Sequence, residues 1–137
     1  MPEQQVNHCQ TDVHILVVDD EEKLGRYVCM LLEQMGYRAT ACVRIEEARH
    51  LLTLRTWHLV ITDIVLPGEN GFDLMRWVKQ HYRELPIIAM TAHPTEAVNY
   101  QLGKFGFAAI LQKPFSIAHL QQILQQIGLP LLTAQRL

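Results

Sequence analysis

What the chain has little of narrows its function first. Three cysteines, Cys9, Cys29 and Cys42, are an odd number with no CxxC spacing. They exclude a disulfide framework or cysteine zinc site and read as reduced thiols in a cytosolic protein. Charge is nearly balanced, at a formal net −2, so nothing electrostatic calls for direct binding of DNA, RNA or an anionic membrane. No apolar run approaches a membrane span. The start, Met1 to Gln10, lacks the basic-then-apolar layout of a signal peptide, and the expected location is the cytoplasm. There is no internal repeat and no low-complexity segment. No glycine-rich phosphate loop follows the first apolar run, where Asp19-Asp20-Glu21-Glu22 stands instead. That absence argues against a flavodoxin-like nucleotide or flavin binder.

What is present is an ordinary globular composition, 49% hydrophobic and 19% charged over 137 residues. This length suits one domain that needs no covalent staples. The expected layout is a polar extension over residues 1–11, a domain over 12–128, and an apolar tail or linker start over 129–137. Short apolar runs near His14–Val18, Arg38–Ala41, Leu59–Thr62, Ile87–Met90 and Ala108–Leu111 read as strands. All but the second are continuously apolar, as in a parallel sheet covered on both faces.

Helical patterns fill the gaps. Leu24, Tyr27, Val28, Leu31, Leu32 and Met35 form one stripe, with Gly36 placed as a left-handed cap. Ile45, Ala48, Leu51 and Leu52 mark a second helix. Leu74, Trp77 and Val78 mark a third, entered through the turn-rich Pro67-Gly68-Glu69-Asn70-Gly71. The fourth, roughly Thr95–Gly103, has only Val98 and Leu102 as apolar anchors and is the most weakly held. Ser116 caps the fifth, whose expected buried face is Ile117, Leu120, Ile123, Leu124 and Ile127. Five βα units joined by right-handed crossovers predict an open, doubly wound α/β fold of flavodoxin-like type. With strand order 2-1-3-4-5, ligands bind beyond the strand ends, where the order reverses between the strands ending at Asp20 and Asp63.

Five polar residues fall on that edge: Asp19, Asp20, Asp63, Thr91 and Lys113. Three converging carboxylates repel unless a cation joins them. Oxygen-only ligands suit a hard ion such as Mg²⁺, which leaves room for a phosphoryl oxygen. Lys113 adds positive charge, Thr91 donates a hydrogen bond, and Asp63 is the best nucleophile, since a carboxylate forms an aspartyl phosphate directly.

With these residues in place, the chain resembles the receiver domain of two-component response regulators. The matching segments are Leu16-Val17-Val18-Asp19-Asp20-Glu21, Val60 through Gly68, Met90-Thr91-Ala92 and Gln112-Lys113-Pro114-Phe115. The resemblance runs from about Asp12 to Gly128. It implies a phosphoacceptor switch in a phosphorelay. Asp63 would accept a phosphoryl group from a sensor histidine kinase or a histidine phosphotransfer protein. Asp19, Asp20, Asp63 and the Val65 backbone carbonyl would hold Mg²⁺, and Thr91 and Lys113 would grip the phosphoryl oxygens. In this family the Lys113–Pro114 bond is usually cis. The output surface would lie around Val98–Phe107 and Ser116–Gln125, with an output domain, a partner protein or a homodimer formed on phosphorylation left open. No enzymatic turnover of an external substrate is implied, only the domain's own phosphorylation and dephosphorylation.

The chain departs from the family pattern at three positions. Ile110 stands where an aromatic coupled to Thr91 is common, Val65 is apolar two residues past Asp63, and His93 is polar two past Thr91. Taken singly, each site residue also has an ordinary reading: Asp19-Asp20 as a helix cap, Asp63 as a turn, Thr91 as a loop hydroxyl, Lys113-Pro114 as a strand-to-helix turn. Two further functions compete. A Mg²⁺-dependent phosphatase with an aspartate nucleophile usually needs an acid/base Asp where Val65 stands, and a receiver-like module that never phosphorylates need not keep the acidic residues. Seven scattered histidines, with no HxxxH pair, read as surface or satisfied core residues, Trp57 and Trp77 as packing, and Phe105-Gly106-Phe107 as packing or part of a partner surface. The segment Gly106–Phe115 resembles receivers that precede transcription-activating domains.

Overall fold

The computed structural model describes residues 13–129. The polar extension with Cys9 and the tail from Pro130 lie outside the described residues. Five parallel strands, β1 (His14–Val18), β2 (Arg38–Cys42), β3 (Leu59–Asp63), β4 (Ile87–Thr91) and β5 (Ala109–Gln112), form one sheet in the order β2-β1-β3-β4-β5. The helices α1 (Glu22–Gln34), α2 (Ile45–Leu52), α3 (Gly71–His81), α4 (Glu96–Phe105) and α5 (Ile117–Gln126) alternate with them. Doubly wound order and element types match the sequence expectation, with ends displaced by one or two residues. Such shifts are ordinary at frayed or tightened termini.

Continuous apolar strands follow from burial on both faces. Ile15, Val17, Ile61 and Met90 point to the side covered by α1 and α5, through Val28, Leu32, Leu120 and Leu124. Their neighbours Leu16, Val18, Val60 and Ala89 point to the side covered by α2, α3 and α4, through Ala48, Leu74, Val78 and Leu102. Along each strand the period of two divides these residues between two cores.

Two expected core positions are not in the core. Tyr27 is 47% exposed and Ile117 39% exposed. Each lies at the edge of its helix's apolar stripe, where the side chain stays in contact with water. Leucines nearer the stripe's centre carry the burial. Gly36, at φ 102°, and Gly106, at φ 95°, take the left-handed conformation that other residues resist.

Strand register brings the site together. Val18 lies opposite both Cys42 and Thr62, Asp63 opposite Met90, and Thr91 opposite Gln112. The residues that follow or end these strands therefore share one level at the carboxyl edge of the sheet.

Candidate functional site

At that edge Asp63 ends β3, Thr91 ends β4, Asp19-Asp20 follow β1 and Lys113 follows β5. All five side chains singled out in the sequence stand on it. Asp19, Asp20 and Asp63 each offer a carboxylate oxygen, and these oxygens lie within 4.8 Å of one another. Lys113 Nζ donates to Asp63 Oδ2 at 2.8 Å and pairs with Asp19 Oδ2 at 2.9 Å. The ammonium is aligned with Asp63, and the buried Asp19 Oδ2 receives no well-directed hydrogen bond of its own. Burial pulls the Lys113 pKa down, but its hydrogen bonds and charge contacts with Asp63 and Asp19 outweigh that and raise it above 10.5. The lysine is therefore a fixed positive charge at neutral pH.

The backbone holds these groups in place. Lys113 N donates to Thr91 O at 2.9 Å, tying the β5 end to the β4 end, and the Lys113–Pro114 peptide is cis. Asp19 Oδ1 accepts from Glu21 N at 2.9 Å, which turns the chain into α1 and leaves Oδ2 for the site. The α1 N-cap is Glu21, and no side chain caps it. Thr91 is buried, and its Oγ1 accepts from His93 N at 3.1 Å, so the hydroxyl proton remains available for a second acceptor. Asp63 Oδ1 lies 3.3 Å from the Val65 amide, while the Val65 side chain is 79% exposed.

The start of α3 is pressed against Asp63, a contact that sequence reasoning missed. Asn70 Oδ1 accepts from Phe72 N and Asp73 N, and Asp73 Oδ2 accepts from Asn70 N, a reciprocal capping box. This cap seats Gly71 so close that an added Cβ would meet Asp63 O at 2.8 Å and Ile64 Cα at 3.0 Å. The turn residues showed in the sequence as a turn; the close approach has no local signal. Sequence reasoning also missed the meeting of His14 and His58, whose Nδ1 accepts from His14 N at 3.0 Å at the opposite end of the sheet.

Ile110 packs half-buried against the core on the α2–α4 side. Phe105 and Phe107 do pack, each edge-to-face with Phe72 at 4.7 and 5.8 Å. Trp57 Nε1 donates to Leu51 O at 2.9 Å, a structural bond.

Comparison with known proteins agrees with this geometry. Residues 15–125 match the response regulator receiver domain family. The chain belongs to that family. The transcriptional regulatory protein GltR of Pseudomonas aeruginosa is 35% identical over 104 residues, which cover 74% of this chain and 43% of GltR. A solved structure of the non-phosphorylated HemR receiver domain of Leptospira biflexa is 32% identical. It superposes with TM-score 0.78, covering 87% of this chain and 97% of that one. The chemotaxis protein CheY4 of Vibrio cholerae, at 24% identity, shares the fold with TM-score 0.80 over 84% of this chain and 98% of its own. The chain spans about half or less of the curated relatives it matches. It is a receiver domain of the two-component type, with a cluster of three carboxylates on its carboxyl edge. Among the described residues no helix is long and apolar enough to cross a membrane.

Proposed function

We propose that this receiver domain is a Mg²⁺-dependent switch in which Asp63 accepts a phosphoryl group from the phosphohistidine of a sensor kinase or phosphotransfer protein. One observation carries the reading: the Lys113 ammonium spans Asp63 Oδ2 and Asp19 Oδ2 at one edge of a three-carboxylate cluster. Asp63 is the acceptor because its carboxylate ends β3 and is steered from two sides, by Lys113 and by the Val65 amide.

The donor set fits a hard cation. The ligands are oxygens only, and Asp19 Oδ2 is a buried carboxylate oxygen without a directed hydrogen bond. Asp19, Asp20, Asp63 and the Val65 carbonyl would hold Mg²⁺, which when bound offsets the negative charge of the carboxylates and of an incoming phosphoryl group. The protein's own residues supply the rest. Lys113 offers its charge to one phosphoryl oxygen, and the Thr91 hydroxyl donates to another. Phosphoryl transfer needs this positioning and neutralisation more than further covalent chemistry.

Phosphorylation draws Thr91 and Lys113 toward the new oxygens and shifts the balance of α4 positions. With Ile110 half-buried, the coupling runs through aliphatic packing rather than an aromatic ring. The output surface is the α4–β5–α5 region, serving a partner, a homodimer or an effector domain. The domain spans residues 12–128 and works in the cytoplasm. GltR is a transcriptional regulatory protein, and the same output class suits this chain. The exposed, apolar Val65 leaves no acid/base group two residues past Asp63, which disfavours a phosphatase acting on external substrates.

The test is phosphorylation with acetyl phosphate or a phosphorylated kinase in Mg²⁺. Wild type gains one acid-stable, base-labile phosphoryl group and Asp63→Asn gains none. Label retained on Asp63→Asn defeats the proposal.

A further inference from the structure

The β3–α3 loop, residues 64–70, carries the Val65 carbonyl, the one proposed metal ligand that is not an aspartate side chain. Both ends of this loop are held. Ile64 and Leu66 are buried in the same core as Ala48 and Leu52 of α2. At the other end Asn70 caps α3, and Gly71 N donates to Ile64 O at 3.0 Å. Between the two, Pro67, Gly68 and Glu69 are exposed, and Gly68 takes the left-handed conformation at φ 78° with open space around it. A single tether crosses this span. Arg49 Nη2, from α2, lies 2.7 Å from Glu69 Oε1, with the two side chains 28% and 47% exposed. Among the described residues it is the only ion pair, apart from those of Lys113, that joins segments distant in sequence. Neither the carboxylate cluster nor the core accounts for it.

We infer that Arg49 is a positioning residue for the metal site, acting through Glu69 to hold the loop in the conformation that lets the Val65 carbonyl serve as a ligand. The inference rests on the Mg²⁺ reading of the carboxylate cluster and adds to it a residue from outside that cluster. A backbone carbonyl has no rotamer of its own, so its oxygen goes wherever the loop goes. Every conformation the free loop samples must be given up when the ion binds, and a tether that removes those conformations beforehand raises affinity. Mg²⁺ is exacting in this respect, because it demands near-ideal octahedral geometry, whereas the larger Ca²⁺ accepts irregular coordination.

Charge alone predicts the opposite sign. Removing a cation from the neighbourhood of three carboxylates makes the site more negative and tightens a divalent ion. Removing a tether loosens it. Arg49→Gln therefore separates the two effects, whereas in Glu69→Gln they act in the same direction.

The experiment titrates the full chain with Mg²⁺ and, separately, with Ca²⁺, following the backbone amide resonances of residues 64–70 by NMR. Arg49→Gln is expected to weaken Mg²⁺ about threefold, the scale of one partly exposed ion pair, and to weaken Ca²⁺ less. Its melting temperature in chelator should stay near that of wild type. In a Glu69→Gln background, Arg49→Gln is expected to cause no further weakening, since its effect runs through Glu69. Equal or tighter Mg²⁺ binding by Arg49→Gln overturns the inference and leaves the metal site standing. So do equal losses for the two ions, a further loss in the double variant, or a large drop in melting temperature, which would assign the pair to the fold. A wild type whose amides show no Mg²⁺ binding at the cluster overturns the metal reading and the inference with it.

Discussion

Val65 separates two fates of an aspartyl phosphate. An attacking water needs a hydrogen-bonding group beside the phosphoryl, and the side chain nearest in sequence, two residues past Asp63, is apolar and points to solvent. Val65→Asn supplies an amide there, and phosphate loss from Asp63 is expected to quicken by up to about tenfold, the worth of one hydrogen bond made in the transition state. Timing the decay of the phosphorylated form after donor removal checks this; equal lifetimes would refute it. The cysteines make a second prediction at this scale. Burial, with the nearby charge of Glu33, raises Cys29 to about 11, and burial with Glu47 raises Cys42 to about 12. A folded-state value above the unfolded one means the unfolded chain gives up its protons first. Stability from these thiols is therefore intact below an ordinary thiol value of 9.0 and falls as pH rises through the range up to about 11 or 12. In a Cys9→Ser chain, iodoacetamide at mildly alkaline pH should label neither thiol natively and both in urea. The identities of the site residues were legible because each ends an apolar run. The bonds that hold them were not, since the Lys113 pairing with Asp19 and Asp63 joins residues far apart in sequence.

The helices differ in how firmly they are held, and the sequence showed it. Within α4 only Leu102 is buried, whereas α5 buries Leu120, Ile123 and Leu124. Both helices begin with a hydroxyl cap, Thr95 Oγ1 accepting from Val98 N and Ser116 Oγ from His119 N, each at 3.1 Å. Removing the cap of a loosely packed helix opens that helix; removing an anchor of a firmly packed one destabilises the whole fold. Thr95→Ala is expected to speed amide exchange in α4 with little loss in the urea midpoint. Leu120→Ala is expected to cost about 2–5 kcal/mol globally. Hydrogen exchange read by mass spectrometry alongside urea melts separates the two, and uniform exchange across α4 and α5 would contradict it. The apolar spacing that made these elements readable also explains the misplaced Tyr27 and Ile117. Periodicity identifies a stripe, but how the helix seats on the sheet decides how much of that stripe is covered.

Over the whole molecule, parallel strands in register deliver three carboxylates to one edge, with one lysine that pairs with two of them. The order β2-β1-β3-β4-β5 follows from alternating βα units and the handedness of their connections, so the sequence carried both the fold and the location of the site. It did not carry the seating of α3 on Asp63, because that depends on how a helix leans against a strand end it has no local signal for. The site's charge imbalance is a stability cost built into the fold in the absence of a cation. A divalent ion bound by the folded chain alone stabilises it by mass action, reaching about 2.7 kcal/mol at a hundred times the dissociation constant. The melting temperature is therefore expected to rise with Mg²⁺ and return on chelation. Asp63→Asn removes one of the repelling charges, so it should melt higher than wild type in chelator and gain less from Mg²⁺. Asp19→Asn leaves Asp20 and Asp63 without their buried partner and should lose most of the Mg²⁺ gain. Thermal melts of the three chains, with Mg²⁺ and with chelator, distinguish this from generic salt screening, which would act alike on all three and be reproduced by an equal ionic strength of sodium chloride.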